Sequence, residues 1–152
     1  MHPGQAIFQG AGVPHAYLEG QNIELMSNSD NVLRGGLTPK HIDVPELLKH
    51  ILFEGIVPQI MNGEKNGAET IYHCPVPDFE VSKIELDKKV IYHYTASSAE
   101  IILLTEGEAH IICNEQTLHI KKGEAVIAGA NELYNISSSS RAVLYKAGVA
   151  TR

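Results

Sequence analysis

The residue types with chemical potential begin at His15. It follows Gly4-Gln5-Ala6-Ile7-Phe8-Gln9-Gly10-Ala11-Gly12-Val13-Pro14, which reads as a short apolar strand and a sharp turn that leave the imidazole at a strand edge. Two cations, Arg34 and Lys40, lie in the segment that follows. An imidazole beside a guanidinium and an ammonium suggests metal chemistry on an anionic substrate, since neutral imidazole is a common metal ligand and fixed cations hold phosphate. Each also has a plainer reading. His15 could be a strand-edge histidine bonded to backbone, Arg34 could pair with Asp30 on a solvated loop, and Lys40 could be an exposed turn charge after Thr38-Pro39.

The rest of the composition narrows the field. With 12 Lys and Arg against 18 Asp and Glu, the net charge is -6, and no basic cluster offsets it. That argues against a nucleic-acid or membrane surface as partner, and means that an anionic ligand needs local cations. The opening Met1-His2-Pro3-Gly4 has neither a basic region nor a long apolar run, so no secretion signal or transmembrane helix is expected. Cys74 and Cys113 are too few for a disulfide framework and sit in no Cys/His metal pattern, which fits a reducing, cytoplasmic setting. A length of 152 residues suits one ordinary domain.

The elements that must position these residues differ between the two parts of the chain. Ala16, Leu18, Ile23 and Leu25 flank Glu19-Gly20-Gln21-Asn22 and predict a hairpin. The polar cluster 27–31 predicts a structured loop, and Val32-Leu33-Arg34 a short strand ended by Gly35-Gly36. Asp43, Pro45 and Glu46 form a helix-start pattern that predicts a helix over 44–54, closed by Gly55. The prolines and Asn-Gly turns of 56–78 predict an irregular connection with one short strand near Ile71-Tyr72.

Beyond it the pattern becomes uniformly β. Short runs at 79–86, 90–94, 100–105, 109–113, 117–120, 125–127 and 142–146, with turn residues between them, predict a sandwich or barrel without helices. A two-residue turn at Asn114-Glu115 would set His110 opposite His119, with Ile111, Cys113, Leu118 and Ile120 on the other, core-facing side. His110 and His119 could hold a metal between them, but two donors on an exposed face rarely do. Tyr92, His93 and Tyr94 alternate as a strand should, Glu46 and His50 are spaced for surface pairing, and 137–140 reads as a polar loop.

The stretch from Gly4 to His15 fits the second half-motif of the cupins, with Gly10 in the proline place. Its continuation, Pro14-His15-Ala16-Tyr17-Leu18-Glu19-Gly20, Glu24-Leu25-Met26 and Ser29-Asp30-Asn31-Val32-Leu33-Arg34-Gly35-Gly36-Leu37-Thr38-Pro39-Lys40, closely resembles type I mannose-6-phosphate isomerases, zinc enzymes of the cupin superfamily. The match is strong over about 3–53, and the remainder is similar to that family's C-terminal cupin-like domain. The resemblance implies interconversion of mannose 6-phosphate and fructose 6-phosphate. It makes His15 a zinc ligand and Arg34 an active-site residue, with Glu24, Tyr17 and Lys40 lining the pocket. Proton transfer between adjacent carbons through an enediol needs an acid/base, for which Glu24 is the candidate, and something to hold the negative oxygens, which a zinc ion does as a Lewis acid with the Arg34 guanidinium sharing the charge.

The family's other zinc ligands, a Gln-x-His pair and a glutamate, belong to a segment upstream of the matched one, and no Gln-x-His occurs in these 152 residues. A second copy of the half-motif runs Gly123, five residues, Gly129-Ala130-Asn131-Glu132-Leu133 and then Tyr134, a tyrosine in the metal-histidine place. That half therefore reads as structural.

The expected architecture is mostly β: a cupin-like jelly roll (double-stranded β-helix) over 69–152, a helix and connecting segment over 43–68, and residual strands of a first, catalytic cupin barrel over 1–42. The expected function is that of a truncated mannose-6-phosphate isomerase-like protein, inactive alone because most metal ligands are missing. Such residual strands need cover from the second barrel, from a twin chain in a homo-oligomer, or from a complementary N-terminal-half chain. The alternatives are a non-catalytic sugar-phosphate or protein-binding module that keeps Arg34 and Lys40 as an anion clamp, or one half of a split isomerase.

Overall fold

The structure, a computed structural model, describes residues 1–29 and 31–150. In chain order its elements are β1 (Ala6–Ile7), α1 (Val44–His50), β2 (Ile60–Met61), β3 (Glu64–Asn66), β4 (Glu69–Tyr72), β5 (Glu80–Leu86), β6 (Ile91–Thr95), β7 (Glu100–Glu106), β8 (Glu108–Cys113), β9 (Gln116–Lys121), β10 (Ala125–Ala128), β11 (Leu133–Ser137) and β12 (Ala142–Gly148). A six-stranded sheet in the order β10-β7-β12-β5-β4-β3 faces a four-stranded sheet in the order β6-β11-β8-β9, with antiparallel pairing throughout. This is the jelly roll expected of a cupin.

The barrel closes because its strands alternate with period two and place every second side chain inside. Ile84 and Leu86 on β5, Ile102 and Leu104 on β7, Ala142 and Leu144 on β12, and Ile136 on β11 are almost wholly buried in one cluster. At the β8–β9 hairpin, Asn114 (φ 49°) and Glu115 (φ 64°) both take left-handed backbone, the mark of a type I′ turn. His110 accordingly faces His119, and Ile111 and Ile120 enter the core. Leu118 is on the expected side but remains 53% exposed at the rim. β11 is absent from the expected strands, because Leu133 and Tyr134 read as the end of a half-motif loop.

Residues 1–59 behave differently. β1 pairs with β2, the Gln5 side-chain amide donates to Asn62 Oδ1 (3.2 Å), and the Tyr72 hydroxyl donates to Gly4 O (2.7 Å), so the first residues are tied to the barrel. The hairpin expected around 16–25 and the strand expected at Val32-Leu33-Arg34 do not form. Strands persist only where a neighbour accepts their ladder bonds, and none is offered here among the described residues. Leu18 (96%) and Val57 (90%) stand almost fully exposed.

The helix is shorter than expected at its C-terminal end. Asp43 caps the start by accepting the Glu46 N–H (3.0 Å), but Ile51 is already extended at φ -72° and ψ 136°. Leu52 leaves the helical ladder to donate its N–H to Gly12 O (2.8 Å), so a tertiary partner replaces the last turn and Gly55 closes nothing. Among the described residues, no helix is long and apolar enough to cross a membrane.

Candidate functional site

The helix α1 positions the chemistry of the first part of the chain. Besides the bond from Leu52 to Gly12 O, a Cβ placed on Gly12 (φ +76°) would lie 2.8 Å from His50 O, and one on Gly35 would lie 3.2 Å from Leu47 Cδ2. The turn ahead of His15 and the loop just after Arg34 therefore both rest on this one helix. A side chain at position 12 would push the turn off the backbone of His50, whereas one at position 35 would need only a small shift of the Leu47 side chain.

On that support His15 is exposed and donates Nδ1–H to Val13 O (3.2 Å). The bond to backbone matches the plain reading of this residue. It also leaves Nε2 as the nitrogen with a free lone pair, the tautomer that a carbonyl partner imposes on metal-ligating histidines. Tyr17 meets the imidazole edge to face, with ring centroids 5.7 Å apart. Partial burial raises the Tyr17 phenol above its ordinary value, and the neighbouring Glu24 carboxylate raises it further while Asn22 opposes. His15, Tyr17 and Glu24 thus form one exposed group.

Arg34 is half-buried and Lys40 exposed, and neither takes an ion pair among the described residues. The pairing of Arg34 with Asp30 lies outside the described residues. As a test for zinc, no three His, Cys, Asp or Glu side chains among the described residues converge closely enough to hold a metal ion. His15 has the tautomer of a ligand, but the donors present do not make up a zinc centre. His110 and His119 stack at 4.7 Å, and His119 turns its Nε2 to Glu108 (3.1 Å) rather than to a shared ion.

A second concentration of functional groups, which the sequence reading did not single out, lies inside the barrel. Along β5 the inward series is Leu86, Ile84, Ser82; along β12 it is Ala142, Leu144, Lys146; along β7 it is Leu104, Ile102, Glu100. At the same end of all three strands the interior changes from apolar to polar. Glu69 of β4, Tyr92 of β6 and Tyr134 of β11 complete the layer. The signal in the sequence was a charged residue at an in-phase inward position of an otherwise apolar strand, and it is legible only once the inward phase is known.

Lys146 Nζ sits 2.8 Å from Glu69 Oε1, donates to the Tyr92 hydroxyl oxygen (2.9 Å), and lies 3.4 Å from the centre of the Tyr94 ring. Tyr92 donates its hydroxyl to Glu69 Oε2 (2.7 Å), and Ser82 Oγ donates to Glu69 Oε1. Burial pushes the Glu69 carboxyl up, but the bonds from Lys146, Ser82 and Tyr92 together outweigh it and hold the group below its ordinary value. Glu100 goes the other way. Burial raises its carboxyl and the Glu69 charge adds to the rise, against the opposing Lys146 charge and the Tyr134 hydroxyl, which donates to Oε2 (2.9 Å). Burial beside these carboxylates also drives the Tyr92 and Tyr134 phenols far up, so both remain protonated donors. Tyr134, at the metal-histidine place of the half-motif, is 1% exposed and built into this layer.

Residues 68–144 match the family model described as mannose-6-phosphate isomerase, cupin domain. The mannose-6-phosphate isomerase of Escherichia coli K12 is 42% identical over 134 residues, which cover 87% of this chain and 34% of that protein. The Homo sapiens mannose-6-phosphate isomerase is 35% identical over 143 residues, or 87% and 33%. A crystal structure of the Salmonella typhimurium mannose 6-phosphate isomerase, bound to substrate and a zinc atom, superposes with a TM-score of 0.67 at 39% identity, covering 83% of this chain and 32% of that one. The chain spans about a third of the length of the curated relatives it matches. By its matched cupin barrel, it belongs to the mannose-6-phosphate isomerase family.

Proposed function

We propose that this chain supplies the cupin barrel and one side of the active site of a mannose-6-phosphate isomerase-type aldose–ketose isomerase, acting on a sugar phosphate in the cytoplasm. The observation that carries the reading is a spacing. Alanine substitutions in the S. typhimurium enzyme fall on a histidine, a glutamate and an arginine separated by the same intervals as His15, Glu24 and Arg34. On this reading Glu24 moves the proton between the adjacent carbons, and Arg34 shares the negative charge that develops on the oxygens. Tyr17 holds Glu24 and the edge of His15, Lys40 meets the phosphate, and His15 offers Nε2 as one zinc ligand. The remaining zinc donors come from polypeptide outside these 152 residues, and the 152 residues alone are inactive.

The test is metal analysis together with an isomerase assay, on the chain alone and on the chain mixed with a polypeptide carrying the Gln-x-His half. The expected result is neither zinc nor turnover alone, and both in the mixture, with zinc lost in His15→Ala and turnover lost in Arg34→Ala. Stoichiometric zinc and turnover of mannose 6-phosphate by the chain alone would overturn the incompleteness, and their absence from the mixture would overturn the isomerase reading. A second reading, a metal-independent phosphosugar clamp, draws on the absence of ion pairs at Arg34 and Lys40 among the described residues. Calorimetric titration with mannose 6-phosphate in the presence of a chelator distinguishes it, because only the clamp binds under those conditions and loses binding in Arg34→Ala.

A further inference from the structure

The polar end of the barrel opens into a cavity of about 460 Å³, bordered by Asn66, Tyr94, Ser97, Glu100, Lys146 and Gly148 among others. That volume is in the range of small-molecule sites. It lies at the polar end of the barrel, neither His15 nor Arg34 lines it, and nothing in the isomerase reading uses it.

The bonding state of its wall defines what would fit. The strong donors are already committed within the chain. Lys146 has three N–H bonds and three partners: Glu69, Tyr92 and the face of Tyr94. The hydroxyls of Ser82 and Tyr92 point at Glu69, and that of Tyr134 points at Glu100. What is left over is acceptor capacity. Glu100 is 3% exposed, and its Oε2 takes the Tyr134 hydroxyl, but its Oε1 accepts no hydrogen bond from the described residues. It is not sealed off as an orphaned buried atom either. Oε1 lies against the cavity wall, 3.6 Å from where a Cβ on Gly148 would be. A carboxylate oxygen so deeply placed requires a hydrogen-bond donor from whatever fills the cavity.

Charge then selects among donors. Phosphates and carboxylates are disfavoured, since no N–H of Lys146 remains to receive them and Glu100 would repel them. An organic cation could pair with Glu100, but the Lys146 ammonium already acts on that carboxylate, lines the same cavity and takes the Tyr94 face, so a second positive charge there is opposed. Several uncharged hydroxyls suit the wall better: one can donate to Glu100 Oε1, and others can exchange bonds with the Ser97 hydroxyl and the Asn66 amide. We propose that this cavity is a second, non-catalytic binding site for a small uncharged polyol, held through hydroxyl donation to Glu100.

Isotope-labelled whole chain, titrated with sorbitol, sorbitol 6-phosphate and butylamine in parallel, tests the proposal by amide chemical shifts. Sorbitol should move the amides of Ser97, Glu100 and Gly148 saturably at millimolar concentration, and Glu100→Gln should weaken that binding about tenfold or more, the loss expected for one hydrogen bond to a charged group. Ser97→Ala, at a position outside the buried layer, should weaken it by a smaller factor and guards against a folding defect in the first variant. No saturable shift with sorbitol, equal or tighter binding of its phosphate ester at these amides, or a response to butylamine in place of sorbitol would each overturn the proposal. Because no metal or isomerase readout enters, the result is independent of the active-site reading.

Discussion

Between residues 64 and 148 the chain supplies its own partners, whereas between 8 and 59 it supplies few. In the barrel each central strand has a neighbour on both sides, the inward apolar residues meet in a single cluster, and the polar layer at one end holds a buried ion pair. In the first part, a helix of seven residues and isolated contacts support the turn ahead of His15 and the loop after Arg34. Leu18, Phe53 and Val57 face outward there at 96%, 77% and 90% exposure. The residues proposed for catalysis are thus mounted on the part with the least tertiary support, and the well-supported part carries a polar layer closed by its own ion pair and hydrogen bonds. Chemistry and stability are separately housed, and perturbing one should leave the other largely unchanged.

The largest test of that separation is Lys146→Met. It strands the Glu69 carboxylate inside the barrel, and losing one partner of a buried pair costs about 3–5 kcal/mol. Urea unfolding followed by far-UV circular dichroism should show a midpoint shift of that size, and adding Glu69→Gln should restore much of it. If Lys146→Met left the midpoint unchanged, the pair would not be part of what holds the barrel.

A smaller contrast compares two glycines. Gly107 (φ +81°) joins β7 to β8, and a Cβ there would collide with Arg141 O and reach Ala142 Cα at 3.1 Å. Gly36 (φ +72°) has nothing within 4 Å. Gly107→Ala should cost the barrel about 1–3 kcal/mol from backbone strain alone, before the collision is added. Gly36→Ala should leave the barrel's unfolding midpoint where it was and change only local hydrogen exchange in the first part. Equal shifts from the two variants would show that the two parts unfold as one unit.

The finest test uses pH. Glu69, depressed in the folded state, contributes stability above the ordinary carboxylate range and loses it as pH falls through its folded value. Glu100, raised in the folded state, has the opposite sign: folding holds its proton, so stability declines as pH rises from the ordinary value through the folded one. Glu100→Gln, which mimics the protonated form, should therefore stabilise the barrel at neutral pH and leave it nearly unchanged in acid. A variant less stable at neutral pH would mean that the ionised carboxylate is favoured where it sits. The exposed segment around His15 should show no matching change in hydrogen exchange.

Much of this organisation was legible beforehand, for identifiable reasons. A strand's inward face repeats every second residue, so the runs around Ile84, Ile102 and Leu144 announced a closed β unit, and Asn114-Glu115 announced a register that the hairpin kept. Asp43 and Glu46 marked a helix start because capping is local. The hairpin around 16–25 was not legible in the same way, because the same apolar alternation occurs whether or not a neighbouring strand is present to pair with it. The end of the helix was likewise decided by a remote acceptor, Gly12 O.

What the sequence determined by itself, then, was the family, the β periodicity of 79–127 and 142–146, the helix start and the chemical types at positions 15, 24, 34 and 40. Only the tertiary structure decided that Ser82, Glu100 and Lys146 point inward at one end of the barrel, that Lys146 saturates its bonds on Glu69, Tyr92 and Tyr94, and that Glu100 keeps one oxygen open to a cavity. The physical reason is range. Alternation, capping and turn chemistry act over a few neighbouring residues, whereas a buried charge finds its partner across strands that meet only after the chain has folded.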